Sequence, residues 1–241
     1  MADRTVDILA FGAHPDDVEL GCGGTLIQHA RRGHATAVVD LTRGELGTRG
    51  TPAIRDAESE KARTILGARF RENLRMADGF FRNDRDHQLQ VIRAIRTYRP
   101  RIVLANAVDD RHPDHGRAAR LVRDACFLAG LRKIETMADG GSQAPHRPDA
   151  VYHYIQAYHI EPDLVVDVSE AFDDKMRAVA AHASQFHDPA SDEPETFISS
   201  AGFLDFVGAR NRDWGTLIGA THAEGFTTHR FIGVDDLTTL R

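Results

Sequence analysis

The chain is predicted to fold as an α/β protein, a mostly parallel sheet with helices on both faces, in a single domain spanning residues 1–241. Three observations carry that expectation. Apolar runs of strand length alternate with helical patterns along the chain. Those runs are continuous rather than alternating, as in strands buried on both faces. The helical patterns stop at Gly or before Pro.

Val6 to Ala13 is the first such run, and Gly23-Gly24-Thr25-Leu26 to Arg32 reads as a helix ended by Gly33. Ala35 to Leu41 is the next strand, followed by a helix from Asp56 to Leu66 with a Gly67 stop and a short strand from Asn73 to Ala77. Gln88 to Tyr98 is an amphipathic helix closed before Pro100, Ile102 to Ala107 is a strand, and a helix runs from Asp114 to about Leu131. The Gly-, Pro- and polar-rich stretch Asp139 to Asp149 is a loop and not a domain boundary, since strand-like Val151 to Ala157 and Leu164 to Val168 follow at once. Phe172 to Phe186 reads as helix, His187 to Glu195 as a polar loop able to cap a cleft, Gly202 to Ile218 as helix and Phe226 to Val234 as a closing strand.

Composition narrows the function. A hydrophobic share of 41% and a charged share of 27% are those of an ordinary globular protein. The net charge of -6 argues against a nucleic-acid platform, which usually needs a basic face, and favours a small-molecule partner, with local Arg clusters able to bind a small anion. Cys22 and Cys126 are the only cysteines, so there is no disulfide framework and no Cys-x-x-Cys metal pair; any metal is held by nitrogen and oxygen. No run approaches the ~20 apolar residues of a membrane span and the N-terminus lacks a signal-peptide pattern, so no membrane contact and a cytoplasmic location are expected.

Two short strings carry the chemistry. His14-Pro15-Asp16-Asp17 sits where the first strand stops, and His112-Pro113-Asp114-His115 follows the strand-like run Ile102 to Ala107. Ligands of doubly wound sheets bind at the carboxyl ends of strands, so the two strings can converge in space. Zinc suits imidazole plus carboxylate and in catalytic sites keeps three protein ligands with an open position; His14, Asp17 and His115 would supply the three, one zinc per chain. Asp16 is then the candidate base, His112 the candidate oxyanion donor, and Asp114 the acceptor that orients His112. Taken singly, either string reads as an ordinary acidic helix start, with Asp16 and Asp17 interacting with the helix dipole; the coincidence of two strings at two strand ends favours a site.

Phe11-Gly12-Ala13-His14-Pro15-Asp16-Asp17 with Gly23-Gly24, the second histidine string, and His182-Ala183-Ser184-Gln185-Phe186 resemble the LmbE-like (PIG-L) zinc deacetylases over nearly the whole chain. Ala223-Glu224-Gly225-Phe226 and Asp110-Arg111 resemble the bacillithiol-biosynthesis branch, which deacetylates N-acetylglucosaminyl malate; the mycothiol branch carries a tyrosine where this chain has Asp110. The resemblance implies a Rossmann-like sheet, the ligand set and roles just given, an N-acetyl sugar substrate, and a homo-oligomer, a trimer or hexamer. Because Arg pairs bidentately with carboxylates, Arg55 and Arg111 are expected at the malate end, and Glu45 or Arg49 at the sugar. The loop Thr42 to Pro52 departs from the family's pattern.

Three other readings compete. Another N-acetylated sugar or glycoconjugate is the first. Two histidines and a carboxylate also make the facial triad of a non-haem Fe(II) oxygenase, although that chemistry has no need of Asp16 and His112. A non-catalytic nucleotide-binding module is suggested by Gly21-Cys22-Gly23-Gly24, but two acids at that turn would repel a pyrophosphate.

Overall fold

In the computed structural model, which describes residues 4–239, nine strands and six α-helices follow one another as β1 (Ile8–Gly12), α1 (Asp17–Arg31), β2 (Thr36–Asp40), α2 (Pro52–Leu66), β3 (Phe70–Asn73), α3 (Arg85–Tyr98), β4 (Ile102–Ala105), α4 (Pro113–Ala129), β5 (Met137–Ala138), β6 (Gly141–Ser142), β7 (Ala150–Tyr154), β8 (Leu164–Asp167), α5 (Phe172–Ala180), α6 (Phe203–Leu217) and β9 (Ala223–Thr227). Seven strands form one sheet in the order β3-β2-β1-β4-β7-β9-β8. The pairs β2·β3, β1·β2, β1·β4 and β4·β7 are parallel, while β9 runs antiparallel to both β7 and β8. The mostly parallel single sheet is thus the one expected.

Burial on both faces explains the continuous apolar runs. Leu9 and Phe11 of β1 pack with Val39, Val103 and the inner sides of α3 and α4, whereas Ile8 and Ala10 pack on the opposite face with Val38, Leu104 and residues of α1 and α5. Helix ends follow local chemistry. Thr51 caps α2 ahead of Pro52 and Gly67 ends it with φ 69, a left-handed value that glycine adopts without Cβ strain. Asp84 caps α3 by accepting from the His87 amide.

Several boundaries differ from expectation. Helix α1 starts at Asp17, six residues before the predicted Gly23, and kinks at Cys22 (φ -144, ψ 19). Its second segment has a cap from far away: the Glu224 carboxylate accepts from the amides of Gly24 (2.9 Å) and Thr25 (2.7 Å). Gly21 is required there, since a Cβ would lie 2.1 Å from the Tyr154 ring. Strand β3 covers Phe70–Asn73 and not Asn73 to Ala77; α5 ends at Ala180, well before Phe186; and β9 lies at Ala223–Thr227, inserted between β7 and β8. The predicted loop from Asp139 also contains half of a small hairpin, β5·β6. Among the described residues no helix is long and apolar enough to cross a membrane.

Candidate functional site

Chain order and sheet order diverge at β1 and β4. From β1 the chain steps to β2 and β3 on one side, then returns to place β4 against the other side of β1. This switch point opens a crevice at the carboxyl ends of the two strands, and both His-Pro-Asp strings lie there.

Each string closes a strand and opens a helix. The Asp17 amide donates to the His14 carbonyl at 3.3 Å, and Asp17 Oδ2 accepts from the His14 amide at 2.9 Å. Asp16 between them has φ 115, in the left-handed region, and its side chain makes no capping bond. Such backbone costs of order 1–3 kcal/mol and concentrates at functional sites. The carboxylate it releases faces Arg55 (3.4 Å) instead. His112 is the N-cap of α4: its Nδ1 accepts from the Asp114 amide at 3.3 Å, so the ring proton resides on Nε2.

The histidines are oriented from outside. His14 Nε2 lies 3.0 Å from Asp78 and 3.3 Å from Asp114, and His115 Nδ1 lies 2.6 Å from Asp110. With those nitrogens donating to carboxylates, the other ring nitrogens, His14 Nδ1 and His115 Nε2, both face Asp17, at 3.6 and 3.1 Å, and His115 Nε2 also lies 3.4 Å from Gln156 Nε2. Asn106 Nδ2 and Gln156 Nε2 each donate to Asp17 at 2.9 Å.

These residues fit a divalent metal. Two ligands ~2.0–2.2 Å from a tetrahedral zinc stand roughly 3.4 Å apart, close to the spacing of His14 Nδ1 from Asp17 Oδ2 (3.6 Å) and of His115 Nε2 from Asp17 Oδ1 (3.1 Å). Carboxylates behind metal-binding histidines fix the tautomer that leaves the inner nitrogen unprotonated. Ring nitrogens of His14, His112 and His115 also lie within 4.8 Å of one another, so His112 borders the same position.

Electrostatics in the metal-free chain follow from burial and these partners. Burial would raise the Asp17 carboxyl, but the His115 and His14 rings outweigh it and hold it well below the ordinary value. Burial lowers His115, yet Asp17 and Asp110 bring it up to about 9. His112 is lowered by burial and by its two histidine neighbours. Asp16 rises to about 6 through burial, with Arg55 pulling against it and Asp17 adding to it. A carboxylate near neutrality is suited to proton transfer.

A cavity of about 390 Å³ gathers His14, Asp16, Asp17, His112 and His115, together with Arg49, Arg55 and Arg111. Three predicted residues have other settings. Arg55 is buried and donates to the Gly44 carbonyl (3.0 Å), the Pro15 carbonyl (2.7 Å) and Asp16, so it braces the Asp16 turn where a malate contact was expected. Asp114 does not accept from the His112 ring; its carboxylate faces His14 and takes the Gly79 amide and Arg117, because the α4 cap already engages His112 Nδ1. Glu45 is absent from the cavity wall and accepts from the amides of Asp78 and Arg43, tying its loop down. Sequence reasoning missed Asp78, Asn106 and Gln156, and noted Asp110 only as a mark of resemblance. Asn106 and Gln156 each stand one or two residues beyond the last residue of an apolar strand, and that position was the available signal.

The chain is similar to several known proteins. The sequence profile of the PIG-L family, described as GlcNAc-PI de-N-acetylase, matches residues 9–126. The crystal structure of the conserved protein TT1542 from Thermus thermophilus is 36% identical, covers 96% of this chain and 98% of its own, and superimposes with a TM-score of 0.85. Diacetylchitobiose deacetylase of Thermococcus kodakarensis is 29% identical over 228 residues, 90% of this chain and 81% of that protein. The 4-oxalmesaconate hydratase of Pseudomonas putida is 28% identical over 74% of each chain. Further relatives include 1D-myo-inositol 2-acetamido-2-deoxy-alpha-D-glucopyranoside deacetylases and a "Probable N-acetyl-alpha-D-glucosaminyl L-malate deacetylase 2" of Bacillus anthracis.

Proposed function

The chain belongs to the PIG-L (LmbE-like) deacetylase family, and from that premise we propose that it is a zinc-dependent amide hydrolase removing the acetyl group of an N-acetylglucosaminide. The carrying observation is the pair of inner nitrogens, on His14 and His115, turned onto Asp17 while carboxylates hold both rings from behind. The finer reading takes N-acetylglucosaminyl malate as the substrate, as the Asp110-Arg111 resemblance implies. It carries with it one zinc per chain, a cytoplasmic site of action and a trimer or hexamer.

His14, Asp17 and His115 would hold the zinc, which when bound polarises the acetamide carbonyl and acidifies water. Asp16 accepts the proton of the attacking water as the new C–O bond forms, and Arg55 keeps its carboxylate aimed into the cavity. His112 donates its Nε2 proton to the oxyanion developing on the carbonyl. When the C–N bond breaks, the proton on Asp16 passes to the leaving nitrogen, giving acetate and the free amine. Base and oxyanion donor also suit addition of water to a double bond, the activity named for the Pseudomonas putida relative; acetate release separates the two. An iron oxygenase would leave Asp16 and His112 without a task, and the buried carboxylates at the start of α1 oppose a bound pyrophosphate.

Zinc-loaded protein is expected to release acetate from N-acetylglucosaminyl malate, and Asp16→Asn to lose on the order of 10²-fold or more of turnover while retaining its metal. Full activity in that variant would refute the assignment of the base.

A further inference from the structure

Helix α6 turns Phe203, Phe206, Val207 and Arg210 toward the cavity, a stripe at helical spacing on a wall that is otherwise apolar. Arg210 is the exception. Among the described residues its guanidinium has no hydrogen-bond or ion-pair partner, and its Nε is buried and unpaired. It is not loose: its Cζ lies 5.6 Å from the Phe206 ring and 5.5 Å from the Trp214 ring, one turn to either side, so two aromatic faces hold the fork.

The carboxylates whose charge reaches Arg210 are Glu224 and Asp110, and both have other partners. Glu224 accepts from Lys175, Gly24 and Thr25; Asp110 accepts from His115, Ala157 and Tyr158. The other cavity arginines divide in two. Arg55 is bound to backbone carbonyls and Asp16, and Arg49 has Glu193 at 3.4 Å. Arg111, like Arg210, has only an aromatic partner, its Cζ 4.5 Å over Phe197, which lines the same cavity. Carboxylates thus gather around the histidines, while the two guanidiniums without an acceptor stand against Phe197, Phe206 and Trp214.

A half-buried guanidinium with five donors, a buried Nε and no acceptor is best completed by the paired oxygens of an anion. We propose that Arg210, with Arg111, forms a subsite for a carboxylate or phosphate group on the part of the substrate away from the acetamide, so that anionic N-acetyl glycosides are selected over neutral ones. The proposal rests on the deacetylase reading; it keeps Arg111, which the sequence already placed at the anionic end, and puts Arg210 of α6 in the place expected for Arg55.

The test compares zinc-loaded wild type with Arg210→Gln, Arg210→Lys and Arg111→Gln on N-acetylglucosaminyl malate and on methyl N-acetylglucosaminide. Wild type should favour the charged substrate in kcat/KM. Arg210→Gln should lose at least roughly tenfold more on the charged substrate than on the neutral one, mostly in KM, with part of the loss recovered by Arg210→Lys. Arg111 is exposed, and its variant serves where Arg210→Gln fails to fold. Equal kcat/KM on both substrates in wild type, or equal losses on both in the variants, would overturn the proposal. Trp214 is the sole tryptophan and packs on Arg210, which supplies a readout independent of turnover. Malate or inorganic phosphate should shift its fluorescence saturably in wild type and far more weakly in Arg210→Gln, and the stronger of the two identifies the preferred anion. If neither substrate releases acetate yet the saturable shift remains, the deacetylase reading fails and the subsite stands. Absence of any shift removes the subsite whatever the turnover.

Discussion

Replacing Asp110 with Asn exchanges one oxygen for an amide nitrogen, and the surroundings of that side chain decide which way the amide turns. One carboxylate oxygen accepts from the backbone amides of Ala157 and Tyr158, both at 2.8 Å, while the other accepts from His115 Nδ1 at 2.6 Å. The two backbone donors require an oxygen, so the new NH₂ group is forced toward His115. His115 Nδ1 must then accept, and its proton moves to Nε2, the nitrogen 3.1 Å from Asp17 that would bind the metal. Loss of a carboxylate behind a metal-binding histidine typically costs 10–100-fold in affinity, and the enforced wrong tautomer places this variant at the upper end, about 100-fold or ~3 kcal/mol. Zinc titration of the metal-free protein against a chelating dye measures the affinity, and ring ¹⁵N shifts of His115 report the tautomer. Affinity within about threefold of wild type, or an unchanged tautomer, would refute the reasoning.

Three other outcomes follow from the structure. His112→Gln should retain metal and lose on the order of 10²–10³ in kcat, as for removal of an oxyanion donor; loss of metal instead would make His112 a ligand, as its closeness to His14 and His115 allows. Lys175→Met should destabilise the fold by about 3–5 kcal/mol in urea titrations, because Lys175 and Glu224 are both fully buried, 2.7 Å apart, and the variant strands the carboxylate; a cost below ~1 kcal/mol would show that the amides of Gly24 and Thr25 suffice. Burial depresses His153 to about 4 from 6.5, so the unfolded chain takes up its proton first, and stability should fall by roughly 3 kcal/mol as pH drops from 6.5 to 4; His153→Gln should remove that increment, and parallel pH curves for the two proteins would disprove it.

The sheet and the two histidine strings were legible because both are local signals. A strand buried on both faces must be continuously apolar, and a proline after a strand-end histidine turns the chain into a helix start, as at Pro113 of α4. The start of α1 was not legible: Gly21 argues against helix locally in the segment before Gly23, and the compensations come from Tyr154, which needs the space at Gly21, and from Glu224, which caps the second segment from 200 residues away. Strand β9 escaped for a related reason, since the run Ala223–Thr227 holds Glu224 and Gly225 and is recognisable as a strand only beside β7 and β8.

At the site the same division holds. Which residue types are present, and that they stand at strand ends, follows from chain order alone, so His14, Asp16, Asp17, His112 and His115 could be named from the sequence as one group. Which carboxylate serves which histidine depends on side-chain directions set by elements far apart in the chain. Asp78 and Asp114 converge on His14, Asp110 takes His115, and Arg55 reaches back 40 residues to the Pro15 carbonyl. Arginine on a helix looks alike in sequence whether it meets water, a carbonyl or nothing, and only packing separated the engaged Arg55 from the unpaired Arg210. Hydrogen bonds and desolvation are properties of where atoms meet, and that is settled by the folded chain.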